Sequence, residues 1–155
     1  MKKADAAVSV FKDGFNCAQA VFSTLAPDLG LGAETAAKTA TAFGGGMARM
    51  GETCGVVTGA FMAIGLARGN SRPAEKEIKE GTYVLALEFV KRFKARHDSL
   101  VCRELLGCDI GTPEGHERAK QQGLFDTVCA KLVRDSIEIA EEVLSTRSNG
   151  NLTSR

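Results

Sequence analysis

The sequence predicts an all-α fold: a single-domain bundle of about six to seven helices around a glycine-rich central helix. Two observations predict it. Apolar residues recur at helical spacing along nearly the whole chain, and no segment combines the length and the apolar–polar alternation of a strand. The length of 155 residues, 44% of them hydrophobic, is ordinary for one globular domain. We therefore expect one all-α domain over residues 1–147 and a polar, frayed tail over residues 148–155.

Four helices are predicted in the first half of the chain, separated by glycine or proline. Asn16 and Gln19 have the spacing of a capping box and open the second helix, which Pro27 ends. Thr53 is the predicted cap of the fourth helix, which is apolar on almost every side and therefore expected at the centre. The other predicted helices of this half cover residues 6–11 and 34–43, and the fourth covers 54–67.

The second half of the chain predicts a long helix followed by shorter ones. Pro73 suits the first turn of the long helix, and Asp126 is expected to open the last. The predicted ranges are 74–96, 102–106, 113–122 and 126–144. The residues of the long helix expected to face the core are Ile78, Tyr83, Leu87, Val90 and Phe93.

Charge and hydropathy exclude several classes of function. Twenty basic and nineteen acidic residues give a net charge of +1, without the basic excess of a nucleic-acid or anionic-membrane binder. The longest nearly uncharged stretch, residues 54–67, is shorter than the roughly 20 residues of a membrane span. No apolar signal-peptide core follows Met1. We expect a cytoplasmic protein that binds no nucleic acid and does not insert into membranes.

Four of the five cysteines fall in the first turn of a predicted helix: Cys17, Cys54, Cys102 and Cys129. The unpaired N–H groups and the dipole at a helix start stabilise a thiolate, the form that binds metals and attacks disulfides. We therefore expect the four helix starts to converge on one site. Their spacing lacks the short pairs of zinc fingers, and unpaired cysteines often only fill space in a core. The absence of Cys-x-x-Cys-His excludes the usual covalent haem attachment.

Glycines and histidines carry weaker predictions. Gly51, Gly55 and Gly59 recur every fourth residue and predict a strip of close approach by another backbone or a bound group. The run at residues 44–46 is either an ordinary turn or, with Arg49, a nest of amides for an anion. We expect His97 to interact with a helix end and His116 to be solvated.

Four segments together resemble a known family: Gly14-Phe15-Asn16-Cys17-Ala18-Gln19-Ala20, Phe43-Gly44-Gly45-Gly46-Met47, Cys54-Gly55-Val56-Val57-Thr58-Gly59-Ala60 and Cys102-Arg103-Glu104-Leu105-Leu106-Gly107. The chain is similar over residues 5–145 to the C_GCAxxG_C_C family, described as redox-active. The family cysteines fall on Cys17, Cys54, Cys102 and Cys129, and its motif glycines on Gly55 and Gly59.

The sequence departs from this family pattern at two positions. Val56 replaces the motif alanine, and Cys108 is additional. A similar module in split-Soret cytochromes implies an iron–sulfur cluster by analogy.

Three hypotheses follow. The first is an electron-transfer protein or oxidoreductase in which the four cysteines bind an iron–sulfur cluster, with Gly55 and Gly59 beside the cofactor. The second is a metal-free protein in which pairs of these cysteines cycle between thiol and disulfide. The third is a structural or interaction module with a four-cysteine zinc site or inert buried cysteines. An unidentified redox partner is expected under the first two, and a homodimer is permitted.

Overall fold

The computed structural model describes residues 1–146, and the predicted tail over 148–155 lies outside them. The fold is all-α, as predicted, and the described residues form eight α-helices, one in each predicted helical range, against an expected total of about six to seven. These are α1 (Lys3–Lys12), α2 (Cys17–Leu25), α3 (Ala33–Ala40), α4 (Gly55–Arg68), α5 (Lys76–His97), α6 (Cys102–Leu106), α7 (Pro113–Gln121) and α8 (Ala130–Ser145). Short 3₁₀ turns cover Pro27–Leu29 and Thr41–Phe43, and a π-helical turn covers Phe125–Cys129.

The apolar helix α4 is central, as predicted, because it packs against α2, α5 and α8. Its buried face includes Val57, Ala60 and Ile64, whereas Phe61 and Leu66 stay partly exposed. Helix α1 closes the bundle by packing on α2 and α8. None of the helices within residues 1–146 is both long enough and apolar enough to cross a membrane.

Helix α5 uses a different face from the one predicted. Leu85, Phe89 and Phe93 are buried, while Tyr83 and Leu87 are 55% and 66% exposed. The prediction was right for Phe93 but wrong for Tyr83 and Leu87, because α5 carries apolar residues on two faces and periodicity alone does not say which face meets α4 and α8. Ile78 is also exposed. Helix α5 starts at Lys76, after Pro73.

A buried carboxylate joins α5 to α8. Asp135 accepts hydrogen bonds from His97 Nε2 at 2.8 Å and from Lys131 Nζ at 2.9 Å, and Arg96 lies at 3.3 Å. Burial raises the pKa of Asp135, but the hydrogen bonds from Lys131 and His97 outweigh it, so the pKa lies below its ordinary value. This cluster fixes the end of α5 that leads into the cysteine-bearing segment.

Candidate functional site: a cysteine-lined cavity

All four family cysteines line one cavity of about 560 Å³. Its walls come from the start of α2, the turn over residues 44–49, the start of α4, helix α6 and the π-helical turn. Cys17, Cys54, Cys102 and Cys129 therefore face the same cavity despite their separation in sequence. Cys108 is not among the lining residues; it packs on the small apolar cluster formed by Cys102, Leu106, Ile110 and Ala119.

The starts of α4 and α6 are tied together by one antiparallel bridge between Thr53 and Val101. Beside it, Cys54 N–H donates to the Leu100 carbonyl at 2.8 Å, and Cys102 N–H donates to the Glu52 carbonyl at 2.6 Å. These bonds hold Cys54 and Cys102 at the same edge of the cavity. Cys54 itself is the N-cap of α4, so the predicted cap Thr53 was wrong by one residue because its backbone pairs with Val101 instead.

Cys17 is the first residue of α2, behind the predicted capping box. Asn16 Oδ1 accepts from Gln19 N–H at 2.9 Å, and Gln19 Oε1 accepts from Asn16 N–H at 3.0 Å. Asn16 Nδ2 also donates to the Thr41 carbonyl at 2.9 Å, which anchors α2 to the segment before the glycine run. The capping box therefore fixes Cys17 relative to the glycine run.

The glycine run opens a left-handed turn. Five consecutive residues have positive φ: Gly45, Gly46, Met47, Ala48 and Arg49. For the three that are not glycine, this conformation costs roughly 1–2 kcal/mol each. Hydrogen bonds such as Ala48 N–H to the Ala42 carbonyl, at 2.8 Å, hold the turn together. The turn places Gly45 in the wall of the cavity, beside Cys17, where its backbone amide is one of the groups that lower the pKa of the Cys17 thiol.

The Cys17 sulfur is surrounded by hydrogen-bond donors. The Cys54 thiol donates to it, and the backbone N–H groups of Gly45, Ala18 and Gly55 complete the set. The Cys54 hydrogen bond lowers the pKa most, burial opposes it, and the three amides lower it further, to about 7. The pKa of Cys17 therefore lies well below that of an ordinary thiol, and the side chain is half-buried.

The other three family cysteines remain protonated at neutral pH. The hydrogen bond to Cys17, burial and the negative charge of Cys17 raise the pKa of Cys54. Burial, followed by the charges of Cys17 and Cys108, raises the pKa of Cys102 to about 11 despite the nearby Arg103. Burial also raises the pKa of Cys129. The expectation that every helix start lowers its thiol pKa was therefore wrong for these three. The interaction with Cys17 is the main opposing cause at Cys54, and burial is the main cause at Cys102 and Cys129.

Cys129 is moreover not at a helix start. It ends the π-helical turn Phe125–Cys129, which runs directly into α8, so its backbone amide lies inside a continuous helix. The predicted cap, Asp126, lies within that turn rather than before it. Leu124, which precedes the turn, is already helical, so the side chain of Asp126 has no free first turn to cap.

The motif glycines are sites of close approach between α2 and α4. A Cβ on Gly55 would lie 2.5 Å from Cys17 Sγ and 2.9 Å from the Ala18 nitrogen. A Cβ on Gly59 would lie 2.9 Å from the Ala18 carbonyl oxygen. Neither Gly55 nor Gly59, both predicted to lie beside a cofactor, is among the residues that line the cavity. Gly51 precedes α4 and has a positive φ, so the predicted strip in the helix consists of two glycines rather than three.

Val56, where the family motif has alanine, is fully buried and also lines the cavity. Its carbonyl accepts a hydrogen bond from the buried Ser136 hydroxyl at 2.7 Å, which ties the start of α4 to α8. The larger side chain is therefore accommodated within the wall, beside the cysteines.

Other cavity residues carry charge or aromatic rings. His116, expected to be solvated, lines the cavity and packs on Phe125 with ring centroids 5.5 Å apart. Lys12 and Arg49 line it from exposed positions. His116 was missed because a polar helix predicts solvent on every side, and the long-range contact with Phe125 leaves no local pattern. His97, by contrast, belongs to the Asp135 cluster.

Within residues 1–146, no three His, Cys, Asp or Glu side chains are arranged to share one metal ion. The donor set is suitable for a soft metal, but the hydrogen-bonded Cys17–Cys54 pair and the thiols of Cys102 and Cys129 are not grouped around one point. As arranged, the four cysteines do not form a preformed metal site.

Comparison with known proteins agrees with the cysteine pattern. A family model described as "Putative redox-active protein (C_GCAxxG_C_C)" matches residues 15–143. No curated protein and no solved structure matches the chain. The matched range contains all four cavity cysteines and both motif glycines. The chain therefore belongs to the C_GCAxxG_C_C family.

Proposed function

We propose that this protein is a dithiol–disulfide redox protein in which Cys17 and Cys54 form the reacting pair. The observation that carries the proposal is their placement: Cys17 and Cys54 line the same cavity, and Cys17 Sγ lies against Gly55, the residue after Cys54. Interaction with the buried Cys54 also lowers the pKa of the half-buried Cys17 thiol to about 7. An accessible thiolate beside a protonated, shielded thiol is the arrangement that thiol–disulfide exchange requires.

The reaction follows from these two protonation states. The Cys17 thiolate attacks one sulfur of an oxidising disulfide, so that a mixed disulfide forms and one thiolate leaves. Cys54 then loses its proton to a leaving thiolate and attacks Cys17 Sγ, releasing the second thiolate. The substrate gains two electrons, and the protein ends with a Cys17–Cys54 disulfide. Formation of the mixed disulfide removes the charge of Cys17, which is one of the causes that raise the pKa of Cys54.

The test is to equilibrate the protein with reduced and oxidised glutathione, block free thiols and map the linked peptides. We expect Cys17 linked to Cys54, and glutathione retained on Cys17 in Cys54→Ser. Cys108→Ser is the matched control, because it removes a thiol outside the cavity lining. Absence of the Cys17–Cys54 link, or equal behaviour of Cys54→Ser and Cys108→Ser, would contradict the proposal.

An iron–sulfur cluster, or less favourably zinc, is the second candidate, supported by the four cysteines that line one cavity. Such a group would supply one-electron transfer or structural stabilisation when bound. Because no three of these side chains within residues 1–146 are placed to share a metal ion, binding requires the cysteine side chains to rearrange. Iron, sulfide and zinc analysis of anaerobically purified protein tests this candidate. Stoichiometric metal that is lost in both Cys102→Ser and Cys129→Ser would favour it over the dithiol pair.

A further inference from the structure

The cavity is far larger than the cysteine pair needs. Its volume of about 560 Å³ lies in the range of pockets that hold small organic ligands, whereas one water occupies about 30 Å³. Apolar and aromatic side chains form much of the wall, among them Phe11, Phe15, Leu105, Ile110 and Phe125. The space in front of Cys17 is therefore shaped for a molecule with an apolar or aromatic body.

The charged groups around this space are mostly cationic. Lys12 and Arg49 line the cavity from exposed positions, and neither forms an ion pair with another residue in the range 1–146. Among the lining side chains, Asp126 carries a carboxylate, and His116 provides a ring nitrogen that can form a hydrogen bond to a bound molecule. Two cations without carboxylate partners next to an apolar wall favour an amphipathic anion.

Arg49 is held in place by the strained turn. Its backbone has φ +63°, and its Cγ and Cα lie against Gly45, where an added Cβ would approach them to 2.8 and 2.9 Å. The same turn provides the Gly45 amide that donates to Cys17. One backbone feature therefore places both a stabiliser of the reactive sulfur and a cation for the ligand.

We infer that the substrate is a small organic disulfide with an apolar or aromatic body and a carboxylate, held by Arg49 and Lys12 while Cys17 attacks its sulfur. This inference rests on the proposed dithiol function and specifies its substrate class. The electron balance is that of the exchange above: the substrate disulfide is reduced to two thiols, and Cys17 and Cys54 are oxidised to one disulfide. The apolar wall of the cavity keeps water away from the apolar part of the substrate, and Arg49 and Lys12 bind the carboxylate of the substrate.

The test compares three disulfides on a Cys108→Ser background: the dianionic aromatic 5,5′-dithiobis(2-nitrobenzoate), neutral hydroxyethyl disulfide and dicationic cystamine. Each rate is divided by the rate of the same disulfide with free 2-mercaptoethanol, which removes its intrinsic reactivity. We expect a preference of about tenfold for the dianion over the dication, because two exposed charge contacts each contribute roughly two- to fivefold. No preference, or a preference for cystamine, would overturn the inference.

Substitutions then assign the preference to residues. Arg49→Gln and Lys12→Gln should each lower it about two- to fivefold. Arg118→Gln, which removes an exposed cation outside the cavity lining, should leave it unchanged. The rate with neutral iodoacetamide should stay constant in all three variants, which separates ligand contact from a change in the Cys17 pKa. Equal effects of Arg49→Gln and Arg118→Gln would overturn the inference.

A binding measurement separates this inference from the proposed function. In Cys17→Ser, which has no reactive pair, 2-nitrobenzoate should bind saturably in equilibrium dialysis and more weakly after Arg49→Gln. If Cys17→Ser binds this anion while the wild-type protein forms no Cys17–Cys54 disulfide in the glutathione test, the ligand class is supported and the redox function is refuted. Cycling without charge preference, and without binding of this anion, would refute the ligand class and leave the redox pair standing.

Discussion

Replacing Gly55 by alanine is predicted to raise the Cys17 pKa and to destabilise the protein together. The added Cβ would lie 2.5 Å from Cys17 Sγ and 2.9 Å from the backbone nitrogen of Ala18. Because one of these neighbours is backbone, α2 and α4 must move apart. Overpacking of this kind typically costs about 1–3 kcal/mol, which exceeds the gain of about 1 kcal/mol from alanine's helix propensity.

The same movement weakens the amide hydrogen bond from Gly55 to Cys17. A hydrogen bond to a charged group contributes about 1.5–3 kcal/mol, and one pKa unit corresponds to about 1.4 kcal/mol. Because the Gly55 amide contributes less than Cys54 or the amides of Gly45 and Ala18, we expect the Cys17 pKa to rise from its value of about 7 by less than about one unit. The pH dependence of the Cys17 alkylation rate, followed by peptide mass analysis, measures this midpoint.

Gly65 provides a matched control in the same helix. A Cβ there meets nothing within 4 Å, so Gly65→Ala should stabilise the protein by about 0.5–1 kcal/mol without changing Cys17. Urea unfolding of both variants should therefore show a lower free energy of unfolding for Gly55→Ala and a higher one for Gly65→Ala. If Gly55→Ala matches Gly65→Ala in both stability and alkylation midpoint, the close contact between α4 and Cys17 is wrong.

Three further substitutions test the supports of the site. Asn16→Ala removes the capping box and should cost about 1 kcal/mol in urea unfolding, with Cys17 reacting more slowly; an unchanged reaction rate would contradict its positioning role. Ser136→Ala removes the buried hydrogen bond to the Val56 carbonyl, which keeps its bond within α4, and should cost about 0.5–1.5 kcal/mol; a neutral effect would refute that buried bond. The depressed pKa of Asp135 contributes stability above the ordinary carboxyl pKa that is lost as pH falls through the lowered folded value. Asp135→Asn should therefore make the free energy of unfolding less dependent on pH over that acidic range. An unchanged pH dependence would contradict the ion-pair cluster of Asp135 with His97.

The fold was largely predictable because its signals are local. The capping box at Asn16 and Gln19 and helix α6 over Cys102–Leu106 were predicted where the structure has them. The face of α5 was not, because choosing between Leu85 and Tyr83 requires knowing which helices pack on it. Helix starts near proline also shifted, as at Lys76.

The sequence predicted which cysteines line the cavity but not how their pKa values differ. Cysteine spacing and the family resemblance selected the four thiols that line the cavity. Their different pKa values depend on burial and on the Gly45 amide, which a left-handed turn directs at Cys17. Neither a succession of positive φ values nor the single Thr53–Val101 bridge leaves a pattern in the sequence.

The central claim is that one thiol of the cavity, Cys17, is ionised near neutral pH because its neighbours hold it as a thiolate. Thiolate absorbance at 240 nm, followed from pH 5 to 11 on reduced protein, tests it most directly. The account predicts one thiol with a midpoint of about 7 that disappears in Cys17→Ser and moves upward in Cys54→Ser. A titration in which no thiol ionises below pH 8, or in which the low midpoint survives Cys17→Ser, would contradict it.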